Sequence, residues 1–180
     1  MKRLMIILAV IGLCAPSAWA SGIGAYGAYW KTKGGDEAFD GDGFGGGAKV
    51  KIDLVPQLSL EVRGTYFSLE PKEGDGGKLE VIPVEAGLTL NLPNSSKLTP
   101  YLGGGAGYFF MNAKNGGEST SLKNVVGGYG IVGVEIELAE GLCLFAEGKY
   151  TIVSAQSKED GSPKIKLDGF GADAGLMLKF

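Results

Sequence analysis

Hydrophobic and polar positions alternate with a period of two along most of the chain. Between residues 44 and 54, Phe44, Gly46, Ala48, Val50, Ile52 and Leu54 share one parity, and Gly45, Gly47, Lys49, Lys51 and Asp53 share the other. Leu58, Leu60, Val62, Gly64 and Tyr66 alternate in the same way with Ser59, Glu61, Arg63, Thr65 and Phe67. Further on, Val84, Ala86, Leu88 and Leu90 stand against Glu85, Gly87, Thr89 and Asn91, and Val132, Val134, Ile136 and Leu138 against Gly133, Glu135 and Glu137. Leu142, Leu144, Ala146 and Ile152 oppose Cys143, Glu147 and Lys149; Phe170, Ala172, Ala174, Leu176, Leu178 and Phe180 oppose Gly171, Asp173, Gly175 and Lys179. Successive strand side chains point to opposite faces, so the pattern predicts strands with one apolar and one polar wall. Residues 23–32 and 98–111 are strand-like too, but carry aromatic and small residues on both parities, which leaves their faces undecided. The expected total is eight strands, and no segment carries a sustained 3.6-residue apolar stripe.

The expected connections alternate in character. Residues 33–43, 68–78, 112–123 and 154–166 are long and rich in Gly, Asp, Glu, Lys and Ser; residues 55–57, 92–97 and 139–141 are short, with Pro56, Pro93 and Gly141 as turn formers. Long-short alternation fits an antiparallel up-and-down meander whose two ends face different surroundings. Alternation alone does not say which wall is inside. The polar parity is sparse, mostly Gly, Ser and Thr with one or two charges per strand, which suits a narrow interior better than a water-facing exterior. Spans of this length, tilted, can cross an apolar band of roughly 25 Å. The expected architecture is therefore all-β: an eight-stranded antiparallel up-and-down transmembrane β-barrel with the apolar parity facing lipid.

Residues 1–20 read differently. Lys2 and Arg3 precede an apolar run from Leu4 to Cys14, and Ala15-Pro16-Ser17-Ala18-Trp19-Ala20 closes with small residues at its last and third-last positions. This is the pattern of a cleaved secretory signal peptide, too short for a spanning helix of roughly 20 residues. The barrel domain is then 21–180. Loss of Lys2 and Arg3 takes the basic residues from 17 to 15 against 20 acidic ones. That net acidity argues against nucleic acid as a partner. Cys143 is left without an intramolecular disulfide partner.

Composition sharpens the function classes. The chain holds 32 glycines, off the every-third spacing of collagen, and no histidine. The missing imidazole removes Ser-His-Asp hydrolysis and His-ligated metals, so neither enzyme activity nor a cofactor is expected. Two G-x-G-x-x-G matches, at Gly22 to Gly27 and Gly128 to Gly133, lack the strand-then-helix setting of a dinucleotide site. Asp40-Gly41-Asp42-Gly43 starts like a calcium loop, but Phe44 and Lys51 occupy positions where an EF-hand needs ligands. A looser cation site from Asp36, Glu37, Asp40 and Asp42 is conceivable; a solvated acidic loop is the preferred reading. Glu61, Arg63, Glu85, Glu135, Glu147, Lys149 and Asp173 share the polar parity, so they are expected to form a structural charge network in the lumen.

The Thr99 to Tyr108 run (TPYLGGGAGY), the Phe145 to Tyr150 run (FAEGKY) and the alternating last strand ending in Phe180 resemble the small eight-stranded outer-membrane β-barrels of Gram-negative bacteria, of the OmpA transmembrane domain and OmpX type. The resemblance covers all of 21–180. It implies location in the outer membrane, outer-membrane lipid as the surrounding partner, and a monomer. It also implies that the barrel-assembly machinery reads Phe180 as an assembly signal. The function expected is a non-catalytic envelope barrel with a structural or loop-mediated role. The alternative is a narrow conduit for ions or small apolar compounds, as in OmpW-like barrels.

Overall fold

The computed structural model describes residues 22–33, 41–71, 78–92, 96–115, 118–121, 125–155, 165–166 and 168–180. Its strands are β1 (Gly22–Thr32), β2 (Gly41–Val55), β3 (Leu58–Pro71), β4 (Lys78–Asn91), β5 (Leu98–Asn115), β6 (Glu118–Ser121), β7 (Val125–Ala139), β8 (Leu142–Ala155), β9 (Ile165–Lys166) and β10 (Gly169–Lys179). Eight of them form a closed antiparallel barrel in the order β1-β2-β3-β4-β5-β7-β8-β10. The barrel closes where β10 pairs with β1, from Gly22 opposite Lys179 to Thr32 opposite Gly169. Closure gives every strand two bonded neighbours, the condition for a β-structure to cross a bilayer.

The ladders run further toward the long connections than the alternation indicates. β2 begins at Gly41, opposite Pro71 of β3. β6 pairs with the end of β5, and β9 with the end of β8, so parts of the expected loops 112–123 and 154–166 are short β-ladders. These extensions are rich in Gly, Ser, Asn and Lys, and backbone pairing continues there without an apolar period to announce it. At the opposite end the turns are tight. Pro56-Gln57 joins β2 to β3, and Glu140-Gly141 joins β7 to β8. Gly141 has φ of 75°, the left-handed region that a glycine enters without a Cβ clash. Its carbonyl accepts the Lys179 N–H at 2.7 Å, tying this turn to β10. Register shifts at Asp53/Val55 and Glu137/Ala139 adjoin these two turns.

Exposure follows the predicted parity. Phe44, Leu88, Leu102, Val132, Leu144, Ile152 and Leu176 face outward, whereas Lys49, Glu61, Arg63, Glu85, Glu147 and Asp173 are buried inside. The two undecided strands are also resolved. Tyr26, Ala28, Trp30 and Thr32 of β1 and Tyr101, Phe109 and Met111 of β5 point inward; Tyr108 and Phe110 of β5 point outward. Their parities look alike because the inside is itself apolar at one level. Trp30, Phe67, Leu69, Val81, Phe109, Met111 and Val153 form an apolar tier in the half of the lumen nearer the long connections. Trp30 lies edge-on to Phe67, with ring centroids 5.4 Å apart. Below this tier the interior is also not one of small polar residues: it holds Arg63, Glu61, Glu147, Lys49, Tyr101 and Phe145.

The outer wall is graded as well. Outward aromatics, among them Phe44, Tyr66, Tyr108, Phe110 and Phe170, gather toward the long connections, whereas Leu54, Leu90, Leu92, Leu98, Leu138 and Leu178 ring the turn end. Such a girdle of aromatics suits the boundary between lipid and water, where Tyr66 and Tyr108 also offer a polar tip.

Apart from outward Gly104, whose Cβ would lie 2.8 Å from the Tyr129 carbonyl oxygen, the glycines divide by wall. A Cβ at Gly47 would lie 2.5 Å from the Gly64 carbonyl oxygen and 2.6 Å from Tyr26 Cζ; one at Gly133 would lie 2.5 Å from Tyr101 Cζ. Lumenal tyrosines occupy that space. On the outer wall, Cβ atoms at Gly27 and Gly64 would meet nothing within 4 Å. Gly47→Val is accordingly expected to lower stability in urea titrations of the micelle-bound barrel by about 1–3 kcal/mol, the cost of overpacking. Gly64→Val should leave the midpoint nearly unchanged, and equal losses would contradict the division.

Candidate functional site: the lumenal ion cluster

Period-two alternation puts Glu61 and Arg63 on the same wall of β3, and the barrel's curvature turns that wall toward β8 and β10. The Arg63 guanidinium reaches both. Its Nε donates to Glu61 Oε1 at 2.9 Å and its Nη1 to Asp173 Oδ2 at 3.2 Å. Nη2 makes a further bond to Glu61, and Nη1 one to Glu147. The planar, multi-donor guanidinium can serve three carboxylates at once, which an ammonium cannot do with the same geometry. Arg63 is 1% exposed.

Lys49 completes this cluster from β2. Its Nζ lies 3.2 Å from both Glu61 Oε2 and Glu147 Oε2, and 3.6 Å from the centroid of the Phe145 ring. Tyr101 donates its hydroxyl to Glu147 Oε2 at 2.7 Å. Tyr26 and Thr65 share a hydroxyl hydrogen bond of 2.7 Å across β1 and β3. The arrangement obeys the rule that buried charges are tolerated when paired and hydrogen-bonded.

The seven charges expected to act together fall into separate groups. Glu61, Arg63, Glu147 and Asp173 meet around the guanidinium. Glu85 and Lys149 pair with each other, and the Lys149 ammonium stands 5.2 Å from the Tyr129 ring centroid. Glu135 lies apart, at the turn end, where it pairs with Lys51 at 3.3 Å and with Lys179. Lys51 also donates to Asn91 Oδ1 at 3.1 Å. Lys49 and Lys51 were left out of the expected network even though they stand on the polar parity of β2. The signal that could have included them is charge balance, since the predicted set held two cations for five anions. Adding Lys49 and Lys51, with Lys179 at the rim, evens the count.

Asp42 is not part of a cation loop at the described residues; it is half-buried and accepts the Tyr29 hydroxyl at 3.0 Å. Asp36, Glu37 and Asp40 lie outside the described residues, as does the expected signal peptide. Both G-x-G-x-x-G matches fall within strands, β1 and β7, and the next element after each among the described residues is a strand. Phe180 follows β10 and is 73% exposed. Cys143 is a buried free thiol facing the lumen.

With the barrel, its apolar exterior and its ion-filled interior established, comparison with known proteins is decisive on family. Residues 5–180 match the model of the outer membrane protein beta-barrel domain. The chain belongs to that family. It is an outer-membrane barrel, and the outer membrane of Gram-negative bacteria is where it resides. No curated protein sequence matches it. Among solved structures it is similar to Neisserial surface protein A (NspA), at 17% identity and a TM-score of 0.70, covering 90% of this chain and 97% of that one. OprG from Pseudomonas aeruginosa is similar at 16% identity and a TM-score of 0.63, over 91% of this chain and 96% of that one. The E. coli outer membrane protein W is similar at 18% identity and a TM-score of 0.57, over 91% and 100%. At these identities the likeness concerns the fold.

Removing one partner of a buried ion pair leaves the other uncompensated, at roughly 3–5 kcal/mol. Arg63→Ala would take from Asp173 its ion-pair partner and leave Glu61 and Glu147 to share Lys49, and is expected to lose about that much in urea unfolding from micelles. Lys72→Ala, which the sequence pattern places in a connection, should stay within roughly 0.5 kcal/mol of the parent. Similar midpoints for the two variants would contradict the assigned role of Arg63.

Proposed function

We propose that this barrel is a closed, non-catalytic element of the outer membrane, serving the envelope structurally or through its long connections. The observation that carries the reading is the stacking of two different seals in one lumen. The Arg63 cluster fills the middle, and the Trp30–Phe67–Phe109 tier lies above it toward the long connections. At their junction, Trp30, Phe109, Lys149, Thr151 and Asp173 border a cavity of about 10 Å³. That is room for a single water. A water-filled path would need both seals to part together.

An enzyme in this setting needs an acid, base or nucleophile within reach of substrate. Here Glu61, Glu147 and Asp173 are each held by cations and nearly inaccessible. The lumenal carboxylates thus serve as structural counter-ions. The chain's lack of histidine supports the same conclusion.

Planar-bilayer recording of the purified protein tests the closed lumen. The unmodified barrel should show no steady conductance. Arg63→Ala should destabilise it but leave it closed by the apolar tier, whereas Trp30→Ala with Phe109→Ala and Arg63→Ala should admit ions. Large, stable currents from the unmodified protein would overturn the closed reading and favour a narrow conduit.

A further inference from the structure

The outer wall contains a recess that the closed-lumen reading does not use. Two neighbouring rows run across the strands in the hydrogen-bonding direction. In one, Gly46, Gly27, Ala174 and Ala146 stand side by side on β2, β1, β10 and β8. In the next, Tyr29, Ala172 and Gly148 follow one another before Val132 of β7. Larger residues flank both rows. On the side of the long connections, Phe170 and Tyr150 pack with ring centroids 4.7 Å apart. On the turn side, Leu176 and Leu144 are 50% and 39% exposed. The result is an open apolar groove that continues across β7 to Leu102 of β5. From β1 to β5 it crosses four strand spacings, about 19 Å.

The outer-wall glycines of this groove have no packing cause. A Cβ at Gly27 would meet nothing within 4 Å, and one at Gly148 would first meet Val132 at 4.0 Å. The lumenal glycines, by contrast, are fixed by tyrosines and backbone. Glycine inside a strand weakens it, and where the fold does not demand it, it often marks close approach of a ligand or another backbone. The upper end of the groove adds charge. Lys31 is the outward residue next above Tyr29 on β1, opposite Phe170, and the Lys33 ammonium stands 5.3 Å from the Phe170 ring centroid. Asp42, the acidic neighbour of Lys31 on β2, is engaged by the Tyr29 hydroxyl.

We propose that this groove seats one acyl chain of a net-anionic phospholipid, whose headgroup is held by Lys31 and Lys33. The occupant follows from the setting: the wall already faces the bilayer, the recess is mainly apolar, and its end beside Phe170 carries the cations Lys31 and Lys33, with the Asp42 carboxylate next to Lys31 taken up by the Tyr29 hydroxyl. Because lipid tails are as apolar as the wall, selectivity comes from van der Waals fit in the recess and from the lysines. This inference is independent of whether the lumen conducts.

Native mass spectrometry of the full mature barrel in detergent micelles, with phosphatidylglycerol or phosphatidylcholine added, tests it. The parent should retain one phosphatidylglycerol. Gly27→Leu with Gly148→Leu, at positions where a Cβ meets nothing closer than 4.0 Å, fills the groove and should weaken retention on the order of tenfold; Lys31→Ala with Lys33→Ala should reduce phosphatidylglycerol to the phosphatidylcholine level. No retained lipid in the parent, or retention unaffected by the filled groove, overturns the proposal. So does a dimer that the filled groove dissociates, which would give the groove to a second copy. Should the filled variant not fold, a phosphatidylglycerol photoreactive in its acyl chain decides: labels concentrated at Ala146 and Ala174 support the proposal, and labels spread evenly around the wall overturn it.

Discussion

The bilayer forces the apolar parity of every strand outward, so each charged residue on the other parity must find its counter-charge inside a narrow tube. An isolated ion in that setting would cost several kcal/mol after relaxation. Arg63 is the group around which the solution is built. It binds carboxylates contributed by β3, β8 and β10, and Lys49 from β2 closes the set against Glu61 and Glu147. One guanidinium thus cross-links strands from opposite parts of the sheet, a task backbone pairing between neighbours cannot perform. The aromatic residues share the work. Tyr101 steadies Glu147, and the Phe145 face sits against the Lys49 ammonium.

Space in the lumen is limited in the same way as charge. Tyr26 and Tyr101 reach across to places where Gly47 and Gly133 have no side chain, so a large residue on one strand sets a small one opposite. This pairing of tyrosine with glycine accounts for part of the glycine content. On the outer wall Gly27, Gly64 and Gly148 obey no such demand, so the same residue type carries different meanings on the two walls. Above the ions, Trp30, Phe67 and Phe109 fill the tube by size alone.

Much of this was legible in the chain. The clean alternation of β3 and β10 follows directly from an apolar solvent outside and ions inside, so Glu61, Arg63 and Asp173 could be placed on the inner wall before any coordinates. β1 and β5 resisted because their inner faces include the aromatic tier, and Trp30 or Phe109 looks no different from a lipid-facing residue in a one-dimensional pattern. Partnerships were less accessible than sides. Parity says that Glu135 and Arg63 share the lumen, but not that strand register places Glu135 beside Lys51 at the turn end. The short strands β6 and β9 were hidden because they span only four and two residues, too few to show a period.

The central claim is that Arg63 and its carboxylates act as one unit rather than as separate contacts. A double-mutant cycle between Arg63→Met and Glu147→Gln, read by urea unfolding in micelles, measures that coupling most directly. Residues in one ion network couple by about 0.5–3 kcal/mol, and this pair is expected near the upper end. The double variant should then be less destabilised than the sum of the two single ones. Losses that simply add, within roughly 0.3–0.5 kcal/mol, would show that the two side chains act independently and would contradict the account.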